Sequence, residues 1–275
     1  MTLLFSFPDD SETPRPTGGF KESPRPGPEI REKTGSLLIA EKLEVPENRV
    51  YFRRDRLEKL LDKLLERFGT ALVLGRAGTG KTALAADYSR KFERISWLSV
   101  ESSDVEWDVF ARYFSAALAD RDGPGPVRSL VPPVIGLDPD LVSAYVETVL
   151  RTRKRLPEAA KHLIVLDKTH NIFDAPWFED FLLGLIFNLG RSSRLLILSR
   201  TQPPLPIWRL RSKQSLGFLG EKLLEFSAEE TRKLFEYHGL NVTAARYAQR
   251  RSFGRISKLM EMIEAVRSGS NRQGS

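Results

Sequence analysis

Residues Gly75 to Thr82 read GRAGTGKT, and further along the chain His162 to Asn171 read HLIVLDKTHN. The first stretch meets the pattern G-x-x-x-x-G-K-[ST] at every required place. Its glycines let a loop curl so that backbone N–H groups of Gly75, Arg76, Ala77, Gly78, Thr79 and Gly80, and of Lys81, Thr82 and Ala83 at the start of a helix, face a polyphosphate. Lys81 would then reach the β- and γ-phosphates, and the Thr82 hydroxyl would ligate Mg2+. In the second stretch four apolar residues run into Asp167, which places an acid at the end of a buried strand, where a magnesium-side carboxylate belongs. A third stretch, RLLILSR, ends in Ser199 and Arg200, and an arginine there would point into the crevice at the C-terminal ends of the strands. The chemistry these residues imply is the binding of ATP or ADP with Mg2+.

The elements that position them are legible from spacing. In DRLEKLLDKLLERFG the apolar set Leu57, Leu60, Leu61, Leu64, Leu65 and Phe68 has helical period, with Asp55 expected as N-cap and Gly69 as the stop. TALVLG reads as a buried strand, KTALAADYSRKF as a helix, RISWLSV as a strand and WDVFARYFSAALAD as a helix. After a Pro/Gly-rich loop from Asp122 to Asp138 come the helix DLVSAYVETVLRTRK, the strand HLIVLD, a helix near Trp177 to Leu189 and the strand RLLILS. The alternation predicts an α/β parallel sheet flanked by helices. Ser227 with Glu230 forms a capping box that opens AEETRKLFEYHG, and two more helical stretches run to about Val266. The expected division is a disordered Pro-rich arm over 1–45, the α/β domain over 46–220, a small helical subdomain over 221–268 and a disordered tail over 269–275, with order beginning near Val50.

Composition narrows the class. With 275 residues, 41% hydrophobic, the chain can bury one sizeable core and a small second one. Cysteine is absent and there are 3 histidines, so neither a disulfide framework nor a thiolate or histidine-rich metal site is expected, and a reducing, cytoplasmic setting fits. No apolar run reaches the roughly 18 residues of a membrane span, and the opening MTLLFSFPDD lacks an export signature. The net charge of +7 suits an anionic ligand or nucleic acid without selecting either. From Leu205 onward the chain carries 13 Lys and Arg against 7 Asp and Glu, including RYAQRRSFGR, a run that more often marks a solvated helix face than a nucleic-acid site.

Five blocks in order resemble the nucleotide-binding domain of the STAND class of signal-transduction ATPases, in the branch typified by MalT and the large LuxR-type regulators. They are GRAGTGKTALAADY, ISWLSVESSDVEWDVFARYFSAAL, LIVLDKTH, LLILSRTQPPLPIWRLR and LLEFSAEETRKLF, within roughly Pro46 to Val266. The resemblance implies an ASCE-type P-loop NTPase sheet, in which an extra strand separates the phosphate-loop strand from the magnesium-acid strand, followed by a small helical domain. It also implies that Arg200 senses the γ-phosphate and that Arg54, in FRRDRL, lies near the base. Family members normally continue through a winged-helix domain, a helical arm and a repeat sensor; the sequence ends at Ser275, ahead of those parts. Sensor or effector domains and self-association are the protein partners implied.

Two residues depart from the family pattern. Ile256, in SFGRISKLMEMI, stands where the family has a proline that packs on adenine, and Lys168 stands where it usually has a second acid. An ammonium cannot take a proton from water, so hydrolysis is expected to be slow; Glu101, at the end of the strand WLSV, is the acid that could replace the missing base. Three readings stand: a STAND-type switch, an AAA-type ATPase acting on nucleic acid, and a pseudo-ATPase in which nucleotide is structural.

Overall fold

The computed structural model describes residues 38–47, 52–119, 138–151, 161–204, 207–213 and 215–271. Most of the Pro-rich arm, nearly all of the loop 122–138 and the last four residues lie outside these. Described structure begins earlier than the sequence suggests. Ala40–Lys42 form a 3-10 turn, and Lys42 is buried, with its ammonium 2.5 and 2.7 Å from the two carboxylate oxygens of fully buried Asp104 and 4.0 Å from the Tyr113 ring centre. A buried charge is tolerated only when paired in this way, so the part of the expected arm from residue 38 belongs to the fold.

Helix α1 (Asp55–Phe68) buries Leu57, Leu61 and Leu65 and ends at Gly69, whose φ of 71° is the left-handed stop that glycine accepts. Its cap position is Arg54, without a side-chain capping bond; Asp55 is instead the first helical residue, where its charge faces the positive end of the helix. Strand β1 (Thr70–Leu74) leads through the phosphate loop into α2 (Lys81–Ser89), followed by β2 (Arg94–Ser99) and α3 (Trp107–Leu118). Helix α4 (Pro139–Arg151), β3 (His162–Asp167), α5 (Phe178–Asn188) and β4 (Ser193–Ser199) follow. Then come two elements that the sequence did not reveal, α6 (Ile207–Ser212) and the short strand β5 (Gly217–Leu219).

All strand pairs are parallel, in the order β2-β3-β4-β1-β5. Strand β4 therefore lies between β1 and β3, as the resemblance implied. Alternate residues of each strand face opposite cores. Ile164, Leu166, Leu195 and Ile197 join Trp107, Phe110, Trp177 and Phe181 on one side; Leu163, Val165, Leu196 and Leu198 join Leu57, Leu61 and Leu84 on the other. A sheet covered on both faces reads as continuous apolar runs, which is why β3 and β4 were recognisable.

Beyond α7 (Glu221–Leu224), helices α8 (Ala228–Tyr237), α9 (Val242–Ser252) and α10 (Ile256–Asn271) form a smaller core of Phe226, Leu234, Phe235, Ala245, Ala248, Leu259 and Ile263. The Ser227 capping box is present, with Glu230 N–H donating to Ser227 Oγ at 3.1 Å and Ser227 N–H to Glu230 Oε2 at 2.9 Å. Leu224 packs in the sheet-side core, so the helical core proper begins at Phe226. No described helix is long and apolar enough to cross a membrane.

Candidate nucleotide-binding site

The loop after β1, the C-terminal ends of β3 and β4 and the starts of α2 and α10 surround a cavity of about 360 Å³. Gly78 and Gly80 carry φ of 74° and 84°, which curl the loop so that α2 begins at Lys81 with its N–H groups toward the cavity. The Lys81 ammonium reaches back over the loop, donating to the carbonyl oxygens of Gly75 and, at 2.9 Å, Arg76. Burial lowers its pKa and Arg200 adds to the effect, against the attraction of Asp167 and Glu221. An anion beside it would reverse that loss.

Thr82 Oγ1 donates to Asp167 Oδ2 at 2.9 Å. Asp167 is almost fully buried, and burial raises its pKa, while the Thr82 hydrogen bond, Lys168 and Lys81 pull the other way. Two adjacent oxygens, one on a carboxylate that burial has stripped of water, fit a hard cation such as Mg2+, which commonly takes one or two protein oxygens beside phosphate and water.

Ala77, Gly78, Gly80, Lys81, Thr82, Ala83, Asp167 and Arg200 all line the cavity. The remaining loop residues brace it. Thr79 Oγ1 donates to Arg76 O at 2.8 Å, and Arg76 is held by Glu221, whose carboxylate accepts its backbone N–H at 3.1 Å and its Nε–H at 2.8 Å.

Gly75, Arg76 and Thr79 do not line the cavity, and two further expected residues, Arg54 and Glu101, lie away from both the loop and the cavity. Arg54 is buried elsewhere: its guanidinium donates to Leu224 O (2.7 Å) and Glu225 O (3.0 Å), pairs with Glu230 (3.1 Å) and lies 3.9 Å from the Phe226 ring centre. With its donors so engaged it fastens α1 to the segment entering α8. Glu101 is half exposed and caps the 3-10 turn Ser102–Val105, with Lys42 at 3.7 Å.

Lys168 does line the cavity, at φ 59°, a left-handed conformation uncommon for a lysine, with its backbone N–H donating to Asp167 Oδ1 at 2.8 Å. Asp167 is the only acid among the described lining residues.

Four lining residues carried no functional reading in the sequence: Ser199, His170, Ser257 and Met260. His170 lies in the LDKTH block that supplied Asp167. Its pKa is held down by burial first and then by Arg200, Lys81 and Lys168, and its buried Nδ1 has no hydrogen-bond partner among the described residues. Ser257 and Met260 come from α10 together with Ile256. Ser257 N–H donates to Gly78 O at 3.2 Å, and a Cβ on Gly78 would stand 2.5 Å from Ser257 Oγ. The start of α10 thus packs directly against the phosphate loop.

No family model matches the chain. Among solved structures it is similar to a Walker-type ATPase of Pyrococcus abyssi, at 13% identity over 79% of this chain and 68% of that one, with a TM-score of 0.50. It is also similar to the Aeropyrum pernix ORC1 protein solved in complex with DNA, at 21% identity over 83% and 67% of the two chains, with a TM-score of 0.45. The strand order, the phosphate loop after β1 and the first of these likenesses define the class: the fold is that of an α/β P-loop NTPase.

Proposed function

We propose that the protein binds ATP with Mg2+ and works as a STAND-type nucleotide switch of the MalT-like kind, with slow hydrolysis. The observation that carries this reading is the convergence of Lys81, Thr82, Asp167 and Arg200 on one cavity whose described lining also includes Lys168 and no second acid. Lys81 and the loop N–H groups would hold the β- and γ-phosphates, and Thr82 and Asp167 would hold magnesium, which neutralises phosphate charge. Arg200 would pair with the γ-phosphate, a bidentate contact that ADP lacks.

Among the described lining residues no second carboxylate stands at the water-activating place. Asp167 is committed to Thr82 and Glu101 lies outside the cavity, while positioning and electrostatics still operate. Turnover is therefore reduced but not abolished. The contact of α10 with the loop supports the switch reading, because a γ-phosphate between Arg200 and Lys81 would lie against the surface on which Ile256, Ser257 and Met260 close. Sensor or effector partners, acting in signal transduction or transcription regulation, would read that closure.

Calorimetric titration of ATP and ADP with magnesium tests the proposal. Wild type should bind both, Lys81→Ala neither, and Arg200→Ala should weaken ATP more than ADP by roughly 1.5–3 kcal/mol, the range for a hydrogen bond to a charged group. Equal affinities for wild type and Lys81→Ala would refute it. Saturable binding with no turnover at all would favour the pseudo-ATPase reading.

A further inference from the structure

From Tyr237 to Met260 the chain contains no acidic residue, yet it carries Arg246, Arg250, Arg251, Arg255 and Lys258. The middle of this run is α9. Its buried positions, Ala245, Ala248 and Ser252, lie on one side. At 3.6 residues per turn, Arg246, Arg250, Tyr247 and Arg251 occupy a continuous arc of roughly 140° on the opposite side, with Tyr247 between Arg250 and Arg251. All four are exposed, Tyr247 to 63%. Among the described residues no hydrogen bond or ion pair engages the side chains of Arg246, Arg250 or Arg251. This contrasts with α8, where Arg232 and Lys233 are paired with Glu236 and Glu229 one turn away.

The end of α9 departs further from what folding favours. Phe253 caps the helix with φ 52°, the left-handed position that glycine fills without strain. Its ring is 74% exposed, more than any other large hydrophobic side chain described. Neither packing nor backbone preference accounts for a phenylalanine here. Folding likewise gains nothing from Arg246 and Arg250 one turn apart, since like charges at that spacing repel.

We propose that this face of α9 binds single-stranded nucleic acid, with Arg246, Arg250 and Arg251 on phosphates and the Tyr247 and Phe253 rings stacked on bases. The charge selects a polyanion, and the exposed rings beside the guanidinium groups select one with flat apolar faces accessible, which a duplex buries and a single strand presents. The face is separate from the nucleotide cavity, whose lining includes no residue of α9, and the proposal does not depend on ATP binding.

The test is fluorescence anisotropy of the full chain with labelled oligo(dT) and oligo(U), a duplex of equal length, polyglutamate and phosphatidylserine vesicles, across a salt series. For the single strands, three neutralised phosphates give a slope of about −2 in log affinity against log salt. Arg250→Gln and Arg251→Gln should each flatten the slope by about 0.7. Tyr247→Ala and Phe253→Gly should each weaken binding by roughly 5- to 150-fold, the range for one lost base stack, while Phe253→Gly leaves the melting temperature unchanged or higher because it relieves the left-handed strain. The proposal is overturned if neither oligonucleotide binds at low salt, if the two ring variants bind like wild type, or if polyglutamate, the duplex or the vesicles bind as tightly as the single strands.

Discussion

Replacing Arg54 with alanine separates two roles for that residue. The resemblance places it beside the base, whereas its side chain is 7% exposed and holds Glu230, itself 12% exposed, together with the carbonyl oxygens of Leu224 and Glu225. Removing one partner of a buried ion pair costs about 3–5 kcal/mol. Glu230 would retain Arg56 at 3.1 Å and the Ser227 N–H at 2.9 Å, so the lower end, about 3 kcal/mol, applies. In a domain of this size that corresponds to a fall of roughly 6–12 °C in Tm. Arg54→Lys should recover little, because one ammonium cannot reproduce the fork that meets a carboxylate and two carbonyls together. Thermal unfolding of Arg54→Ala, Glu230→Gln and the double variant should give a coupling within about 0.5–3 kcal/mol. ATP affinity, measured well below the transition, should change by less than about threefold, under 1 kcal/mol. A Tm within about 2 °C of wild type together with a tenfold loss of ATP affinity, about 1.4 kcal/mol, would return Arg54 to the base and refute the structural assignment.

Lys168→Asp should raise single-turnover hydrolysis toward the 10²–10⁴-fold credited to a positioned acid or base, while weakening ATP binding through like-charge repulsion; an unchanged rate and affinity would remove Lys168 from the site. Gly78→Ala combines a left-handed φ, worth about 1–2 kcal/mol, with a Cβ driven into Ser257, worth about 1–3 kcal/mol, and should lower both stability and ATP affinity. Wild-type stability and affinity in that variant would mean that α10 does not close on the loop. Asp167 has its folded pKa raised, so it stabilises the folded state only while protonated, and that contribution is lost as pH rises from the unfolded value through the folded one. Asp167→Asn should therefore raise the Tm of the nucleotide-free protein at neutral pH, but not at strongly acid pH, and abolish the magnesium dependence of ATP binding; a lower neutral Tm would contradict the assigned cause. His170 has its folded pKa lowered, so the unfolded chain takes the proton first and stability falls as pH drops below about 6.5. His170→Asn should flatten that acid limb, and identical limbs would show that burial does not hold the imidazole neutral.

Much of the site was legible because it is built from short-range features. A phosphate-binding loop needs glycines, a lysine and a threonine at set intervals, since such a loop curls within a few consecutive residues, here the eight from Gly75 to Thr82. Asp167 ends and Arg200 follows a strand whose uninterrupted apolar run reflects burial on both faces, and the Ser227 capping box involves residues only three apart. What stayed hidden depends on elements distant in sequence. Strand β5 has three residues and pairs only because β1 presents an edge to it, and Lys42 is buried only because Asp104 waits in the turn after β2. Arg54 meets Glu230 across 176 positions. Ile256, Ser257 and Met260 carry no phosphate-binding pattern and enter the cavity because the α8–α10 core sets α10 against the loop. Sequence by itself determined the parts whose sterics and hydrogen bonds close within a few residues; tertiary structure decided which of those parts meet, because that depends on the packing of whole sheet and helix faces.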